Sequence, residues 1–277
     1  MDQSIYRLEK RGREMKRFVS YLVLTVLFAF ALTACGGSKK ENTVHSIDDL
    51  KGKKIGVQIG TTGDALAGDV EDAKVEKYNK YADAVQALKQ GKIDAIIIDS
   101  DTAKVFVGKN DDVTLLSEGY ADEEYAIAMH LDNTALQTDI NKALAELKAD
   151  GTLKKIKDYY DGDKSEGSDR KAYTKDENAD RSKGTLIMAT NSEFPPYEYM
   201  EGGKIVGIDV DMMNAVCDKL GYELKIEDMA FDSIIAAVQS GKATVGVAGM
   251  SVTPARQENV RFSDSYTVTH LVVMVRK

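Results

Sequence analysis

The stretch GTLIMATNSEFPPYEYMEGGKIVGIDVDM, residues 184–212, decides the fold. It reads as the opening of a mature secreted domain, yet it begins about two-thirds of the way along a chain of 277 residues. Strand and helix patterns alternate from Thr185 to the C-terminus. An earlier pattern of the same kind starts near His45, in SIDDLKGKKIGVQIGTTGDALAG, with a strand predicted over Lys54–Val57, a glycine loop and a helix. It runs to about Tyr160. Between the two lies DGDKSEGSDRKAYTKDENADRSKG, which is charged and nearly without large apolar side chains. Too little surface can be buried there to offset the ordering entropy, so residues 163–183 are expected to form a flexible linker.

Composition bounds the classes open to such a chain. Hydrophobic residues make up 43% and charged residues 30%, ordinary values that allow one two-lobed domain or two small ones. A net charge of −8, with no basic patch interleaved with aromatics, argues against a nucleic-acid partner. Basic residues up to Lys16 and Arg17 precede the apolar run FVSYLVLTVLFAFALTA, so residues 1–34 have the composition of a secretory signal peptide. The run is short for a spanning helix, and a plain membrane anchor is the alternative. Either Met1 or Met15 can be the start, MKRF being the more usual basic region. Leu32 to Cys35 resembles the bacterial lipobox, in which the Cys is lipidated, and residues 35–45 then form a polar tether.

With Cys35 so modified, Cys217 has no partner and no disulfide is expected. Within DVDMMNAVCDKLG it shares a helical face with Val210, Met213 and Leu220, which suits a buried structural thiol. His45, His130 and His270 are isolated and lack metal-ligand spacing. No Ser-His-Asp or Cys-His arrangement is legible either, so no metal, cofactor or catalytic role is expected.

A unit recurs in the two halves. AVQALKQGKIDAIIIDSDT, from Ala84, parallels IAAVQSGKATVGVAGMSV, from Ile235. In each, a helix with spaced apolar residues stops at a glycine suited to the position after the helix cap, Gly91 or Gly241. Lys and a short apolar strand follow, finishing at Asp99 and Gly249. Two pseudo-equivalent lobes of α/β type follow from this match. Ligands of open parallel sheets bind beyond the carboxyl ends of the strands, so facing lobes would bring Asp99 and Gly249 into one cleft.

The opening stretch, together with DMAFDSIIAAVQSGKATVGVAGMSVTPARQENVRFSDSYTVTHLVVMV, resembles the N-terminal part of the polar amino-acid-binding proteins of ABC importers, the extracellular solute-binding proteins of family 3. DLKGKKIGVQIGTTGDALA, GKIDAIIIDS and YAIAMHLDNTALQTDINKALAELKADGTLKKIKDYY resemble the remainder of that family. The resemblance implies a two-lobed, periplasmic-binding-protein-like fold of type II with the ligand cleft between the lobes. The segment order is reversed relative to the family, as in a circular permutant whose ancestral ends are joined by residues 163–183. On this reading residues 46–120 and 271–277 build the second lobe, and 121–162 and 184–270 the first. Tyr266–His270 and about Gly119–Glu124 would cross between them, and Leu271–Val275 would be a second-lobe strand that must dock to avoid exposing an apolar edge.

The resemblance also assigns ligand contacts. Arg256 would grip the ligand carboxylate with its guanidinium fork, helped by Ser251 and, from the other lobe, by Thr62 in GTTGD. Asp99 would receive the ammonium, with Gly249 opposite. Phe194 and Phe231 would wall the side-chain pocket. Read without the family, Arg256 is equally a surface ion-pair residue, the Gly-Thr turn a helix cap, Asp99 a helix N-cap with Asp101 as its competitor, and each Phe a core residue. Asn191 stands where binders of cationic amino acids commonly carry an acid. Glu193 would restore a negative charge if it pointed inward, so glutamine, other polar neutral amino acids and cystine-like compounds stay open. The expected protein is a monomeric lipoprotein at the outer face of the bacterial cytoplasmic membrane, with a free amino acid and an ABC permease as partners. A dehydratase-like enzyme and a sensory receptor domain on the same fold are the alternatives.

Overall fold

The computed structural model describes residues 40–161 and 172–277, so the signal segment and the first part of the tether, with Cys35, lie outside the described residues. Its strands are β1 (Lys54–Gln58), β2 (Lys74–Tyr78), β3 (Ala95–Asp99), β4 (Val113–Tyr125), β5 (Ala128–Met129), β6 (Thr185–Thr190), β7 (Glu193–Phe194), β8 (Glu198–Glu201), β9 (Lys204–Val206), β10 (Glu223–Asp228), β11 (Val245–Gly246), β12 (Arg261–Phe262) and β13 (Thr267–Arg276). The helices are α1 (Thr62–Gly68), α2 (Tyr81–Lys89), α3 (Ser100–Gly108), α4 (Thr134–Ala149), α5 (Thr152–Asp161), α6 (Ile208–Leu220), α7 (Ile234–Gln239) and α8 (Pro254–Gln257).

Alternation along apolar runs builds two sheets with both faces covered. In β3 and β13, Ile96, Ile98, Val272 and Met274 enter one core cluster, while Ala95, Ile97, Leu271, Val273 and Val275 enter another on the opposite face. Leu186 and Met188 of β6 face the helices α4–α6, and Ile187 and Ala189 face α7. The first sheet has the order β2-β1-β3-β13-β4 and the second β10-β6-β11-β5-β12. In each, three parallel strands are followed by an antiparallel one. The molecule is thus a mixed α/β fold of two lobes with matching strand orders. Gly91 and Gly241 both take positive φ, 69° and 73°, directly after α2 and α7, as the repeat requires.

Two strands carry the chain between the lobes among the described residues. β4 and β13 pair antiparallel from Val113↔Arg276 to Tyr125↔Thr267, and Leu271–Val275 also pairs with β3. Strand β13 is therefore an interior strand, its apolar faces buried on both sides. Arg276 closes its far end, donating from Nη1 to the carbonyls of Leu88 and Ile93 at 2.9 and 2.6 Å.

The expected linker is corrected in part. Residues 162–171 lie outside the described residues, but from Tyr173 to Arg181 the segment is tied to α6. The Tyr173 amide donates to Asp211 Oδ2 at 2.9 Å and its hydroxyl to Asp218 Oδ2 at 2.8 Å. Asp218 also accepts from the Asp176 amide and pairs with Arg181. A composition average hides one aromatic and one arginine whose partners stand on a neighbouring helix.

Candidate functional site

The carboxyl ends of the parallel strands place the cleft between the lobes. Gln58 ends β1, Asp99 ends β3, Asn191 follows β6, and Ala248, Gly249 and Ser251 follow β11; all line one cavity of about 350 Å³. The hinge strand β4 adds Glu123 and Tyr125, and the loop after α7 and β11 brings Arg256 on α8. Every contact residue named from the sequence lies on this cavity: Thr62, Asp99, Asn191, Phe194, Phe231, Gly249, Ser251 and Arg256.

At one end the groups suit an anion. Arg256 is half-buried, donating to the carbonyls of Ser251 at 2.6 Å and of Gly60, in the opposite lobe, at 3.0 Å. No ion pair engages it among the described residues, and its guanidinium lies 5.4 Å from the centre of the Phe231 ring. Burial draws it below the usual arginine range, opposed chiefly by the Glu123 charge. The GTTGD turn divides its labour: Thr61 caps α1, accepting from the Asp64 amide, while the Thr62 hydroxyl donates to Glu123 Oε1. From the other lobe Ser251 Oγ donates to the same oxygen at 2.5 Å, and the Tyr125 hydroxyl to Glu123 Oε2 at 3.3 Å.

At the other end, Asp99 is 1% exposed and plays two parts. Its Oδ1 caps α3 through the amides of Asp101 and Thr102, and its Oδ2 accepts from the Thr269 hydroxyl at 2.6 Å. Cap and cavity wall are not alternatives here. Burial pushes its carboxyl up to about 6, against the hydrogen bond from Thr269. Asp101 instead takes the Tyr197 hydroxyl and Lys104, away from the cavity.

An aromatic wall joins these ends. Phe194 stacks on Tyr197 at 5.7 Å between centroids and lies 6.2 and 6.5 Å from Tyr81 and Tyr125. Gly249 faces it with φ 51°, and a Cβ there would sit 2.6 Å from the Phe194 ring, so only glycine fits. Its amide is held by Asp209 Oδ2 at 2.9 Å. Behind it Asp209 and Glu198 are both fully buried, and the Tyr266 hydroxyl also donates to Asp209. Burial, then the neighbouring Asp209, raises the Glu198 carboxyl well above the usual range, while burial brings Asp209 to about 6.

Asn191 spans the lobes, accepting from Gln58 Nε2 at 2.9 Å and donating to the Met229 carbonyl. Glu193 does not point inward: it pairs with Lys80 at the surface and is withdrawn as a selectivity residue. The outward direction follows from alternation along β7, in which Phe194 takes the inward position, and Lys80 meets Glu193 from 113 positions away in the chain. Cys217 is buried in α6, its thiol pushed up to about 12 by burial. No group of His, Cys, Asp and Glu able to hold a metal occurs among the described residues.

Gln58, Tyr81, Glu123 and Tyr125 were missed from the sequence. The lobe repeat could have found Gln58, since it ends β1 as the Thr190–Asn191 pair ends β6. Glu123 lies in ADEEY, inside the expected crossing at about Gly119–Glu124, but nothing in that run of charges marks which of them faces the cleft.

Residues 186–277 match the bacterial extracellular solute-binding proteins, family 3. The chain is 42% identical over 96 residues to the arginine-binding extracellular protein ArtP of Bacillus subtilis (strain 168), covering 34% of this chain and 38% of ArtP. It is 36% identical over 124 residues to the L-cystine-binding protein TcyJ of Escherichia coli (strain K12), covering 44% and 47%. The chain thus aligns with less than half the length of either relative. The arginine-bound form of domain 1 from TmArgBP is 36% identical, with 35% of this chain and 82% of that one covered and a TM-score of 0.30. No helix among the described residues is long and apolar enough to cross a membrane. The segment that matches family 3, residues 186 to 277, carries Asn191, Phe194, Phe231, Gly249, Ser251 and Arg256, six of the residues that line the cavity.

Proposed function

We propose that this protein captures a free polar α-amino acid between its lobes and hands it to the permease of an ABC importer. One observation carries the reading: a guanidinium from one lobe and a buried carboxylate from the other, Arg256 and Asp99, line the same cavity. A zwitterion satisfies both, the carboxylate at Arg256 and the ammonium at Asp99. Because it bonds both lobes only when they are together, it shifts a hinge equilibrium about β4 and β13 toward closure. With Glu193 on Lys80, the side-chain end offers the amides of Gln58 and Asn191 and the rings of Phe194 and Phe231, which favours an uncharged polar side chain.

Lipid on Cys35 would hold the protein at the outer face of the membrane as a monomer, and a Cys35→Ser protein would be released into the medium. The reversed order of segments is read as a circular permutation. It is supported by the docking of β13 inside the first sheet and by the approach of Arg276 to the Glu41 carbonyl at 3.5 Å, which brings the end of β13 beside residue 41.

Titration calorimetry of residues 36–277 against L-glutamine, L-cystine, L-histidine and L-arginine tests the main reading. A saturable one-to-one heat with L-glutamine or L-cystine is expected. Arg256→Ala should weaken it by about 2 kcal/mol or more, roughly thirtyfold in affinity, because a charged hydrogen-bond partner is removed from a desolvated site. Heat from none of the four, with a cooperatively folded protein, would sink the reading.

A further inference from the structure

The hydroxyls of Thr62 and Ser251, one from each lobe, both donate to a single carboxylate oxygen, and that oxygen belongs to the protein: Glu123 Oε1. We infer that Glu123 occupies the anion position of the cleft, so that its own carboxylate competes with that of a ligand. Three observations converge. Glu123 is 6% exposed although its strand reads as solvated, so its carboxylate is held in the cleft rather than in water. Its oxygens take the donors of Thr62, Ser251 and Tyr125. Its charge is the main influence that holds up the guanidinium of Arg256, whose own hydrogen bonds go to carbonyls.

The location adds a mechanical consequence. A second hollow of about 960 Å³ adjoins the cavity and shares Thr62, Glu123, Ser251 and Leu271 with it. Ala65, Leu66, Ala121 and Val252 line the rest of it together with the acids Asp122 and Glu124. The Thr62–Glu123–Ser251 bridge is the partition between the two. A ligand carboxylate that takes the two hydroxyls must turn the Glu123 side chain toward this hollow or lie beside it. Two carboxylates near one guanidinium repel, so Glu123 lowers affinity for every carboxylate ligand while holding the lobes together in its absence. Glu123 is thereby a residue that sets affinity rather than one that grips the ligand. The anion position itself does not depend on the ligand being an amino acid; only the competition with an amino acid rests on the function proposed above.

The test uses Glu123→Ala and Glu123→Gln in the full folded chain. The first readout is the unfolding midpoint with sodium acetate against sodium chloride at equal ionic strength. Acetate should raise the midpoint of Glu123→Ala, by refilling the position, and leave the wild type at its chloride value. The second is calorimetry with L-glutamine, L-cystine and L-arginine. Whichever binds the wild type should bind Glu123→Gln about tenfold more tightly, since the amide accepts both hydroxyl hydrogen bonds without the repelling charge. Should Glu123→Ala not fold, the affinity of Glu123→Gln decides alone. Weaker binding by Glu123→Gln would overturn the inference and make Glu123 a direct ligand contact, and so would an identical acetate response in wild type and Glu123→Ala. An acetate response confined to Glu123→Ala, with no amino acid bound by any form, would uphold the anion position and reject the amino-acid reading.

Discussion

Asp99 shows how one buried side chain couples structure to pH. Its folded value is raised, to about 6, because burial penalises the charge more than Thr269 and the two amides favour it. The ammonium of a ligand needs the ionised form, and by its charge pulls the value down again toward the ordinary 3.9 or so. Affinity for an α-amino acid should therefore hold above pH 6 and fall by up to tenfold per unit below it. Asp99→Asn should bind weakly at every pH and lose that slope; calorimetry at three pH values checks both. A flat wild-type profile would mean that Asp99 serves α3 alone. The residue also marks how far strand-end reasoning reaches. It finds Asp99, Gly249 and the neighbourhood of Arg256, because parallel strands deliver their carboxyl ends to one edge. It does not find Glu123, which enters from the side of an antiparallel hinge strand, where no sequence period distinguishes inward from outward.

Among the elements, β8 and α6 meet at a buried acid pair. Glu198 ends up opposite Asp209 with no base beside either, and Asp209 anchors the Gly249 amide and the Tyr266 hydroxyl. Both carboxyls have raised folded values, so they stabilise the fold fully below their unfolded values and lose that contribution as pH rises through the folded ones. Stability should thus decline as pH rises from the ordinary carboxylate range through about 6, where Asp209 ionises, and go on declining above that while Glu198 keeps its proton, at about 1.4 kcal/mol per pH unit for each extra proton the folded state holds. Glu198→Gln, which keeps the shape without the acid, should flatten that decline; an unchanged slope would place its origin elsewhere. Elements were legible in the sequence wherever periodicity and punctuation agreed, as in the helix–glycine–strand units ending at Asp99 and Gly249. The tie of Tyr173 and Arg181 to α6 was not, because a pair of side chains, not a composition, holds that segment.

At the scale of the whole molecule, each lobe's sheet repeats the other's order, and the chain enters and leaves the second lobe through one antiparallel ribbon. The reversed segment order can be undone. A chain running from residue 184 to 277, joined by a short glycine linker to residues 42–161, should fold to the same lobes and bind the same ligand within about threefold, since no described contact of the cleft depends on the join. Loss of cooperative unfolding in the rejoined chain would show that the tie from Tyr173 to Arg181 supports the first lobe. Fold class was readable from the alternating units, and a second-lobe strand over Leu271–Val275 from the resemblance; its partners β3 and β4 lie far away in sequence, so no local preference of its own names them.

That placement governs when the protein can become itself. Thr269, at the crossing, bonds Asp99 from 170 positions later in the chain. A ribosome adding roughly 5–20 residues per second needs on the order of ten seconds to make that span. Until residues 271–275 pair with it, the short apolar strand β3 keeps one edge open, of the kind that recruits other strands. Any factor that shields residues 95–99 must therefore act before residues 271–275 arrive to pair with them.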